Sequence, residues 1–392
     1  MIKTLFWLSL FIVFYSYLGY GILIWLYLKL RSFFSKSISQ TAESTYEPEV
    51  TLIVAVYNEA GFIQKKIENS LALEYPSQKL KLLFIADGSS DESVNIISKY
   101  PSIQLLFRPE REGKVVAINR AMKYVSTPYV VFSDANTLLN SSCIREIVKH
   151  YKDEKIGAVA GEKKIMDLAG DESVTGAGEG LYWKYESFLK KLDAKFYTVV
   201  GAAGELFSVR TELFEPVAAN VLLDDFIISL KICRRGYRVM YEPAAFATEA
   251  PSFSMKDEQK RKIRISAGGF QSVFMLSSLL NIFKYGKLSF QYISHRVLRW
   301  CVCPFLLPVI LGTNIYIVFH HNNWLYATLL VGQIFFYIAA IAGWAASFRN
   351  IKIKIFYVPY YFAFMNAALY LGFVRFIGNK QTVLWEKANR KA

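Results

Sequence analysis

The sequence has little cysteine, and its four cysteines show no pattern that carries chemistry. Cys143, Cys233, Cys301 and Cys303 form no CxxC pair and lack the spacing of metal ligands. The sequence therefore gives no indication of a cysteine metal centre or redox site, and a cytosolic domain would keep these thiols reduced.

Two common nucleotide-binding motifs are also absent. No GxxxxGK[ST] element occurs, and no GxGxxG follows a strand-like segment. These absences argue against a P-loop enzyme and against a dinucleotide-binding fold.

Apolar residues are concentrated towards the two ends of the chain, in long runs with few charges. Hydrophobic residues make up 53% of the sequence and aromatic residues 16%, with a mean hydropathy of +0.25. This is too apolar for an ordinary soluble enzyme and too charged for a bundle of membrane helices. The net charge of +14 fits a surface that faces anionic lipid and binds phosphorylated substrates better than it fits nucleic-acid binding.

The first apolar run extends from Leu5 to Leu30 and carries no charge before Lys29. It is long enough to cross a hydrocarbon layer of about 30 Å. A cleaved signal peptide is the alternative, but the run exceeds a typical signal core and lacks a small-x-small cleavage site. We therefore predict a transmembrane anchor at residues 1–31.

Three further apolar runs follow residue 295 and predict a C-terminal transmembrane block at residues 296–376. They are Val297–Phe319, Trp324–Ala346 and Ile355–Val374. The last residues, 377–392, form a basic tail.

Positive charges flank the anchor unevenly. Only Lys3 precedes the apolar run, whereas Lys29, Arg31 and Lys36 follow it. The positive-inside rule then predicts an outer N-terminus, a cytoplasmic domain after the anchor, and residence in the cytoplasmic membrane. Four spans that start outside would also end outside, yet the tail is basic. Either one run is re-entrant or interfacial, or the charge rule fails here.

Strand-like and helix-like segments alternate between residues 46 and 265. The strand-like segments include Val50–Val56, Leu80–Ile85, Ile103–Phe107 and Tyr129–Phe132. This alternation predicts an α/β domain with a mostly parallel sheet covered on both faces. Residues 266–295 then predict an amphipathic segment in the membrane interface.

Polar clusters follow three of these strands. They are Tyr57-Asn58-Glu59, Asp87-Gly88-Ser89-Ser90-Asp91 and Ser133-Asp134-Ala135-Asn136. Each cluster alone could be an ordinary turn or helix cap. Because ligands bind at the carboxyl ends of strands in open sheets, three successive clusters predict one shared pocket.

These clusters and four later segments, taken in order, resemble the motifs of family-2 glycosyltransferases. The later segments are Arg111-Glu112-Gly113-Lys114, Gly201–Glu205, Leu223-Asp224-Asp225 and Arg261–Ile265. The resemblance is to the membrane-bound branch of poly-N-acetylglucosamine, hyaluronan and cellulose synthases. It implies a GT-A-like nucleotide-sugar-binding domain between transmembrane helices, a UDP-sugar donor, and a single displacement with inversion.

The resemblance also implies roles for individual residues. Asp225 would be the general base, with Asp224 as its neighbour, and Gly204 and Glu205 would lie on the acceptor side. The donor contacts would be Tyr57, Asn58, Glu59, Asp87, Lys114, Asp134, Arg261 and Arg264. Without the resemblance, Asp224 and Asp225 are explained by their position in the first turn of a predicted helix, where carboxylates stabilise the helix dipole.

A divalent cation, Mg²⁺ or Mn²⁺, is implied at Asp134 and Asn136. Asn136 replaces the second carboxylate of the family's DxD motif, although an amide oxygen still ligates such cations. Ala86 replaces the first aspartate of the uridine element, which leaves Asp87 for that contact. Ile265 stands where the family has a tryptophan that lines the acceptor site of processive enzymes, so processivity stays open.

The predicted function is transfer from a UDP-sugar to a growing polysaccharide at the cytoplasmic face of the membrane. The alternative is addition of one sugar to a lipid-linked acceptor, such as a polyprenyl phosphate or a glycolipid. A non-catalytic transporter or sensor is a third candidate, but the C-terminal runs hold few charges and show no repeat. The predicted partners are the donor, the acceptor and the lipid bilayer, without nucleic acid.

Overall fold

A computed structural model of the chain describes residues 1–34, 46–166, 174–250, 255–347 and 354–379. Lys36 and the part of the predicted basic tail from residue 380 onward lie outside these ranges.

The helices of the described residues fall into an N-terminal pair, a group around the sheet, and a C-terminal series. In chain order they are α1 (Ile2–Phe14), α2 (Tyr20–Phe34), α3 (Ile63–Leu71), α4 (Ser93–Ser98), α5 (Lys114–Met122), α6 (Cys143–Val148), α7 (Val174–Phe196), α8 (Asp224–Arg234), α9 (Met255–Met275), α10 (Ile282–Tyr285), α11 (Lys287–Tyr292), α12 (Cys303–His320), α13 (Trp324–Ser347) and α14 (Lys354–Ile377). π-Helical segments, Tyr15–Gly19 and Ile293–Val302, join α1 to α2 and α11 to α12 without a break.

The described residues form a sheet of eight strands in the order β3-β2-β1-β4-β7-β6-β8-β5. The strands are β1 (Val50–Val56), β2 (Leu80–Asp87), β3 (Ile103–Arg108), β4 (Tyr129–Asp134), β5 (Thr137–Leu139), β6 (Ile156–Ile165), β7 (Leu206–Arg210) and β8 (Arg238–Glu249). Four pairings are parallel and three, β4–β7, β6–β7 and β5–β8, are antiparallel. The predicted α/β class with a mostly parallel sheet is confirmed.

The register of the central strands places the polar clusters together. Val56 of β1 pairs with Ala86 of β2, and Ala55 pairs with Asp134 of β4. Since these three strands are parallel, the loops that follow them leave the sheet at the same edge.

Separate apolar cores cover the two faces of the sheet. Alternate residues of β1 point to opposite faces, so Ile53 joins one core while Leu52 and Val54 join the other. All three side chains are buried, as expected for strands with helices on both sides. The sheet therefore provides a rigid base for the loops at its edge.

Within the described ranges, four helical segments are long and apolar enough to cross a membrane. They are Ile2–Phe33, Lys287–His320, Trp324–Ser347 and Ile355–Ile377. Each contains one of the four predicted apolar runs, so the prediction of four such helices is confirmed. The side of the membrane on which the sheet lies stays a prediction.

Helix α14 packs directly against α9, which extends through residue 265 into the segment predicted to be interfacial. A Cβ built at Gly372 of α14 would lie 2.5 Å from the Cβ of Ser266 of α9, so glycine is required for this approach. The rings of Phe270 and Phe373 pack beside it at an interplanar angle of 52°, with centroids 5.1 Å apart. A predicted membrane helix therefore supports the helix that carries Arg261 and Arg264.

A buried ionic cluster joins the anchor, α7 and the π-helical segment. Glu186 of α7 accepts hydrogen bonds from Arg296 (3.0 Å) and Arg299 (2.7 Å). Asp193 follows about two helical turns after Glu186 on the same face of α7. It accepts a hydrogen bond from the hydroxyl of Tyr20 (2.5 Å) and lies 2.5 Å from His295 Nδ1. The charges of a candidate membrane helix thus face protein groups, as ionisable residues at such depths generally do.

Replacement of Glu186 by glutamine tests the stabilising role of this cluster. The substitution keeps the side-chain size but leaves two buried guanidinium groups without their counter-charge, and breaking a buried pair costs about 3–5 kcal/mol. We expect a clear fall in the thermal unfolding temperature in detergent. Glu212→Gln, which removes an exposed carboxylate, is the matched control. Equal unfolding temperatures for the two variants would contradict the assignment.

Candidate active site

The loops after β1 and β2 hold each other in place. Asn58, whose φ of 51° lies in the left-handed region, accepts a hydrogen bond at Oδ1 from the Ser90 amide (2.8 Å). The Asn58 amide donates to Ser89 Oγ (3.1 Å), and the Glu59 amide donates to Ser93 Oγ (2.8 Å). The polar groups of these two predicted donor residues therefore also shape the loops.

Asp87, at the end of β2, has one occupied and one open carboxylate oxygen. Oδ2 accepts from the backbone amides of Glu112 (3.1 Å) and Gly113 (2.6 Å), which fixes the loop before α5. Oδ1 is buried and has no hydrogen-bond partner among the described residues. A buried acceptor without a donor is costly to the fold and points to a ligand.

A flat surface lies close to Asp87. The guanidinium group of Arg111 stacks on the ring of Tyr57, with 3.7 Å from its central carbon to the ring centroid. Gly88, at a φ of 69°, allows the backbone of Arg111 to approach, since a Cβ there would lie 2.5 Å from Arg111 Cβ. Tyr57, predicted as a donor contact, therefore packs on Arg111, whose backbone lies against Gly88, the residue after Asp87.

The loop after β4 presents its charged residue to Lys114. Lys114 Nζ, in the first turn of α5, lies 2.6 Å from Asp134 Oδ1. Burial alone would lower the pKa of this ammonium, but the carboxylates of Asp134, Asp224 and Asp225 raise it above its usual value. Asn136 Oδ1 is buried and has no hydrogen-bond partner within the described ranges.

A buried lysine that the sequence did not single out supports this loop from below. Lys66 of α3 is fully buried and donates hydrogen bonds to Ser133 Oγ (2.7 Å) and to the Thr137 carbonyl (2.9 Å). Burial lowers the pKa of its ammonium to about 7. Its neighbour Lys65 is exposed. The helical spacing of Ile63, Lys66, Ile67 and Ser70, which share the buried face of α3, is the signal that could have distinguished the two lysines.

Asp224 and Asp225 occupy the first turn of α8. Burial, followed by the negative charge of Asp224, raises the pKa of Asp225 to about 7 against the opposing effect of Lys114. A Cβ built at Gly204 would lie 3.4 Å from Asp225 Oδ2 and 3.3 Å from Lys114 Nζ. The base candidate and the cation therefore border the same small space, which the glycine leaves open.

Glu205, next to Gly204, is a paired carboxylate. It accepts a hydrogen bond from Lys163 Nζ at 2.6 Å, and Lys163 also contacts Glu249. Burial would raise the pKa of Glu205, but Lys163 holds it below its usual value. Glu205 thus remains ionised and does not suit the role of a base near neutral pH.

Helix α9 directs two cations towards the same carboxylates. Arg261 hydrogen-bonds to Glu258 at 3.0 Å and its charge also lowers the pKa of Glu205. Arg264 interacts electrostatically with Asp224 and Asp134, although burial lowers its pKa to about 10. The pocket therefore has a base candidate, an acidic loop and several positive charges.

The structure brings most of the predicted site residues to one edge of the sheet. They are Tyr57, Asp87, Lys114, Asp134, Asn136, Gly204, Glu205, Asp224, Asp225, Arg261 and Arg264. In the described parts of the chain, no group of three or more His, Cys, Asp or Glu residues could hold a metal by itself. Protein oxygens at Asp134 and Asn136 would therefore need ligands from a substrate.

Comparison with known proteins identifies the catalytic domain. Residues 51–217 match glycosyl transferase family 2. The chain is 29% identical over 234 residues to the poly-β-1,6-N-acetyl-D-glucosamine synthase of Staphylococcus aureus, covering 57% of this chain and 55% of the relative. The protein of that name from Staphylococcus epidermidis is 25% identical over 299 residues, covering 72% and 70%. The first match thus spans little more than half of the relative's length.

The fold has a solved counterpart. The mannosyltransferase PcManGT from Pyrobaculum calidifontis, solved with GDP-Man and Mn²⁺, superposes with a TM-score of 0.69 at 21% identity. The match covers 97% of this chain and 100% of that structure, so it includes the apolar helices as well as the sheet. Residues 51–217 therefore carry a family-2 glycosyltransferase domain, built on a GT-A-like sheet with a pocket at its edge.

Proposed function

We propose that the protein transfers a sugar from a UDP-sugar to a growing polysaccharide at the cytoplasmic face of the cytoplasmic membrane, with inversion at the anomeric carbon. The position of Asp225 carries the proposal. Its carboxylate, with a pKa of about 7, faces Lys114 across the space left by Gly204. The name of the staphylococcal relatives makes UDP-N-acetylglucosamine the first donor to test.

The residues divide the reaction between a base and a set of cations. Asp225 accepts the proton of the acceptor hydroxyl as that oxygen attacks the anomeric carbon, because a neutral alcohol is a poor nucleophile. The bond to the diphosphate breaks on the opposite side, and the diphosphate keeps the electron pair. Lys114, Arg261 and Arg264 stabilise its developing charge, which favours the transition state over the ground state.

Asp134 and Asn136 would hold the divalent cation, as the unpaired amide oxygen of Asn136 fits an oxygen-seeking ion. Bound between this loop and the donor, the ion would add positive charge on the diphosphate. Lys66 fixes the loop geometry from beneath, through hydrogen bonds to both of its ends.

Asp87→Asn tests the uridine contact. The asparagine oxygen would stay with the amides of Glu112 and Gly113, so its NH₂ group would face the N3–H donor of uracil. We expect the donor KM to rise about tenfold to a hundredfold, since one hydrogen bond to a charged group is lost and two donors oppose each other. Asp153→Asn, at an exposed carboxylate, is the control and should leave the donor KM unchanged. An unchanged donor KM in Asp87→Asn would mean that another group binds the uracil.

Product length tests the acceptor. Purified protein with UDP-N-acetylglucosamine, UDP-glucose or GDP-mannose should release the diphosphate and form a ladder of oligosaccharides from a uridine donor. Transfer from GDP-mannose alone would contradict the proposed donor class.

Addition of a single sugar to a lipid-linked acceptor is the second candidate. An apolar groove between α2 and α7 favours it, because this groove lies on the predicted anchor and could hold a prenyl chain. Its lining residues are Leu18, Gly21, Ile22, Trp25, Tyr185 and Phe188. A single labelled glycolipid product, without a ladder, would favour this candidate over polymer synthesis.

A further inference from the structure

Lys190 of α7 is a buried cation that the proposed reaction does not use. The residue is only 3% exposed, and its ammonium neither hydrogen-bonds to nor forms an ion pair with any described residue. Two aromatic rings lie close to it, with centroids 5.4 Å (Trp183) and 5.7 Å (Tyr241) from Nζ. A buried ammonium normally donates hydrogen bonds to nearby acceptors. Lys190 makes no such bond to a described residue, so a ligand could supply the acceptor.

Tyr241 of β8 has the same deficit. Its hydroxyl is buried and has no hydrogen-bond partner in the described structure. Two neighbouring polar groups that both lack partners lower the stability of the fold, and natural proteins keep such groups mainly at functional sites.

The position of this pair connects it to the acceptor side of the catalytic pocket. The Trp183 ring also lies 5.1 Å from Lys163 Nζ, and Lys163 holds Glu205. Glu205 follows Gly204, which borders Asp225. The Lys163–Glu205 ion pair therefore connects Trp183 and its neighbours to Gly204, the residue that borders Asp225.

The surrounding charges do not favour an anion. The carboxylates of Glu162, Glu186 and Glu205 act on the Lys190 ammonium, and Arg296 is the opposing positive charge. Because Arg296 and Arg299 bind Glu186 and Lys163 binds Glu205, these charges largely offset one another, which suits an uncharged ligand. Hydroxyl oxygens accept from an ammonium, and the C–H face of a sugar packs on an indole.

We propose that Trp183, Lys190 and Tyr241 form a subsite for an uncharged sugar unit of the acceptor glycan. This inference rests on the proposed transfer to a glycan and adds a position for the acceptor unit beyond the one that reacts. Lys190 donates to the sugar oxygens, the Tyr241 hydroxyl completes the hydrogen bonding, and Trp183 provides the packing surface.

Lys190→Met and Tyr241→Phe test the subsite with little change in side-chain volume. With β-1,6-linked N-acetylglucosamine oligosaccharides as acceptors, we expect each variant to raise the acceptor KM about tenfold, the loss of one good hydrogen bond. The donor KM should stay within about twofold, since neither residue contacts the donor pocket. Lys191→Met and Tyr124→Phe, which alter exposed side chains, are the matched controls.

Thermal unfolding gives the readout that a structural role would not produce. Removing the Tyr241 hydroxyl, a buried group without a hydrogen-bond partner among the described residues, should leave the unfolding temperature unchanged or raise it, so loss of acceptor affinity in Tyr241→Phe without loss of stability supports the subsite. A lower unfolding temperature with an unchanged acceptor KM overturns it.

Binding of the same oligosaccharides without donor, followed by tryptophan fluorescence, separates this inference from the proposed function. Weaker binding to both variants supports the subsite even where the wild-type protein does not elongate the oligosaccharide, a result that would contradict only the proposed transfer. Equal binding by wild type and variants overturns the subsite alone.

Discussion

Asp225→Asn lowers kcat for sugar transfer by about 10²–10⁴-fold, the usual contribution of a positioned general base, while donor binding survives. Asparagine has nearly the same shape but cannot accept the proton of the acceptor hydroxyl. Donor affinity should persist because Lys114, Arg261, Arg264 and the Asp87 loop remain. Turnover assays with isothermal titration of UDP would measure both quantities.

The pH dependence provides an independent check of Asp225. Because a base must be deprotonated, the wild-type rate should rise with pH and level off above about 7, the pKa that burial and Asp224 impose on Asp225. The residual rate of Asp225→Asn should lack this step. The same step in Asp225→Asn, or turnover close to that of Asp153→Asn, would assign the base to another residue.

The stability of Asp225→Asn should show that the fold is intact. The pKa of Asp225 rises from 3.8 to about 7 on folding, so the native state binds more protons than the unfolded chain between these values. The stability contributed by this group therefore falls as the pH rises through that window. At pH 8 the asparagine variant should unfold at the same or a higher temperature than the wild type.

Local sequence patterns predicted the elements that carry Asp225 and the donor loops. Strand β1 has the predicted bounds, and the helix predicted to carry the carboxylate pair in its first turn is α8. These elements are readable because apolar period and polar strand ends are local properties. The expected shared pocket follows from the parallel register of β1, β2 and β4 alone.

Non-local partners were not predictable in this way. Strand β6 pairs with β7, about 50 residues later, and with β8 still further along. The burial of Lys163 on β6 and of Lys190 on α7 depends on these pairings and on the packing of α7 against β6 and β8. The burial of Lys66 depends on its contacts with Ser133 and Thr137. In the sequence, Lys163 and Lys190 resemble exposed lysines of ordinary strands and helices, since a single chain does not reveal which positive charge meets a partner.

Removal of divalent cations should abolish transfer, and Mg²⁺ or Mn²⁺ should restore it. The sharper test compares two isosteric exchanges on the same loop. Asp134→Asn removes the negative charge and should raise the Mn²⁺ concentration for half-maximal activity by about a hundredfold. Asn136→Asp adds a carboxylate where the structure has an unpaired acceptor, and should lower that concentration about tenfold, since ligand charge tunes cation affinity.

Direct Mn²⁺ binding, measured by electron paramagnetic resonance in the presence of UDP, should follow the same order without requiring turnover. Lys114→Met distinguishes the metal from the lysine as the source of positive charge. Lys114 is 2.6 Å from Asp134, so removing it frees that carboxylate and should tighten Mn²⁺ binding while slowing transfer. Full activity after complete chelation would mean that Lys114, Arg261 and Arg264 alone stabilise the leaving diphosphate, and that Asn136 marks a site working without metal.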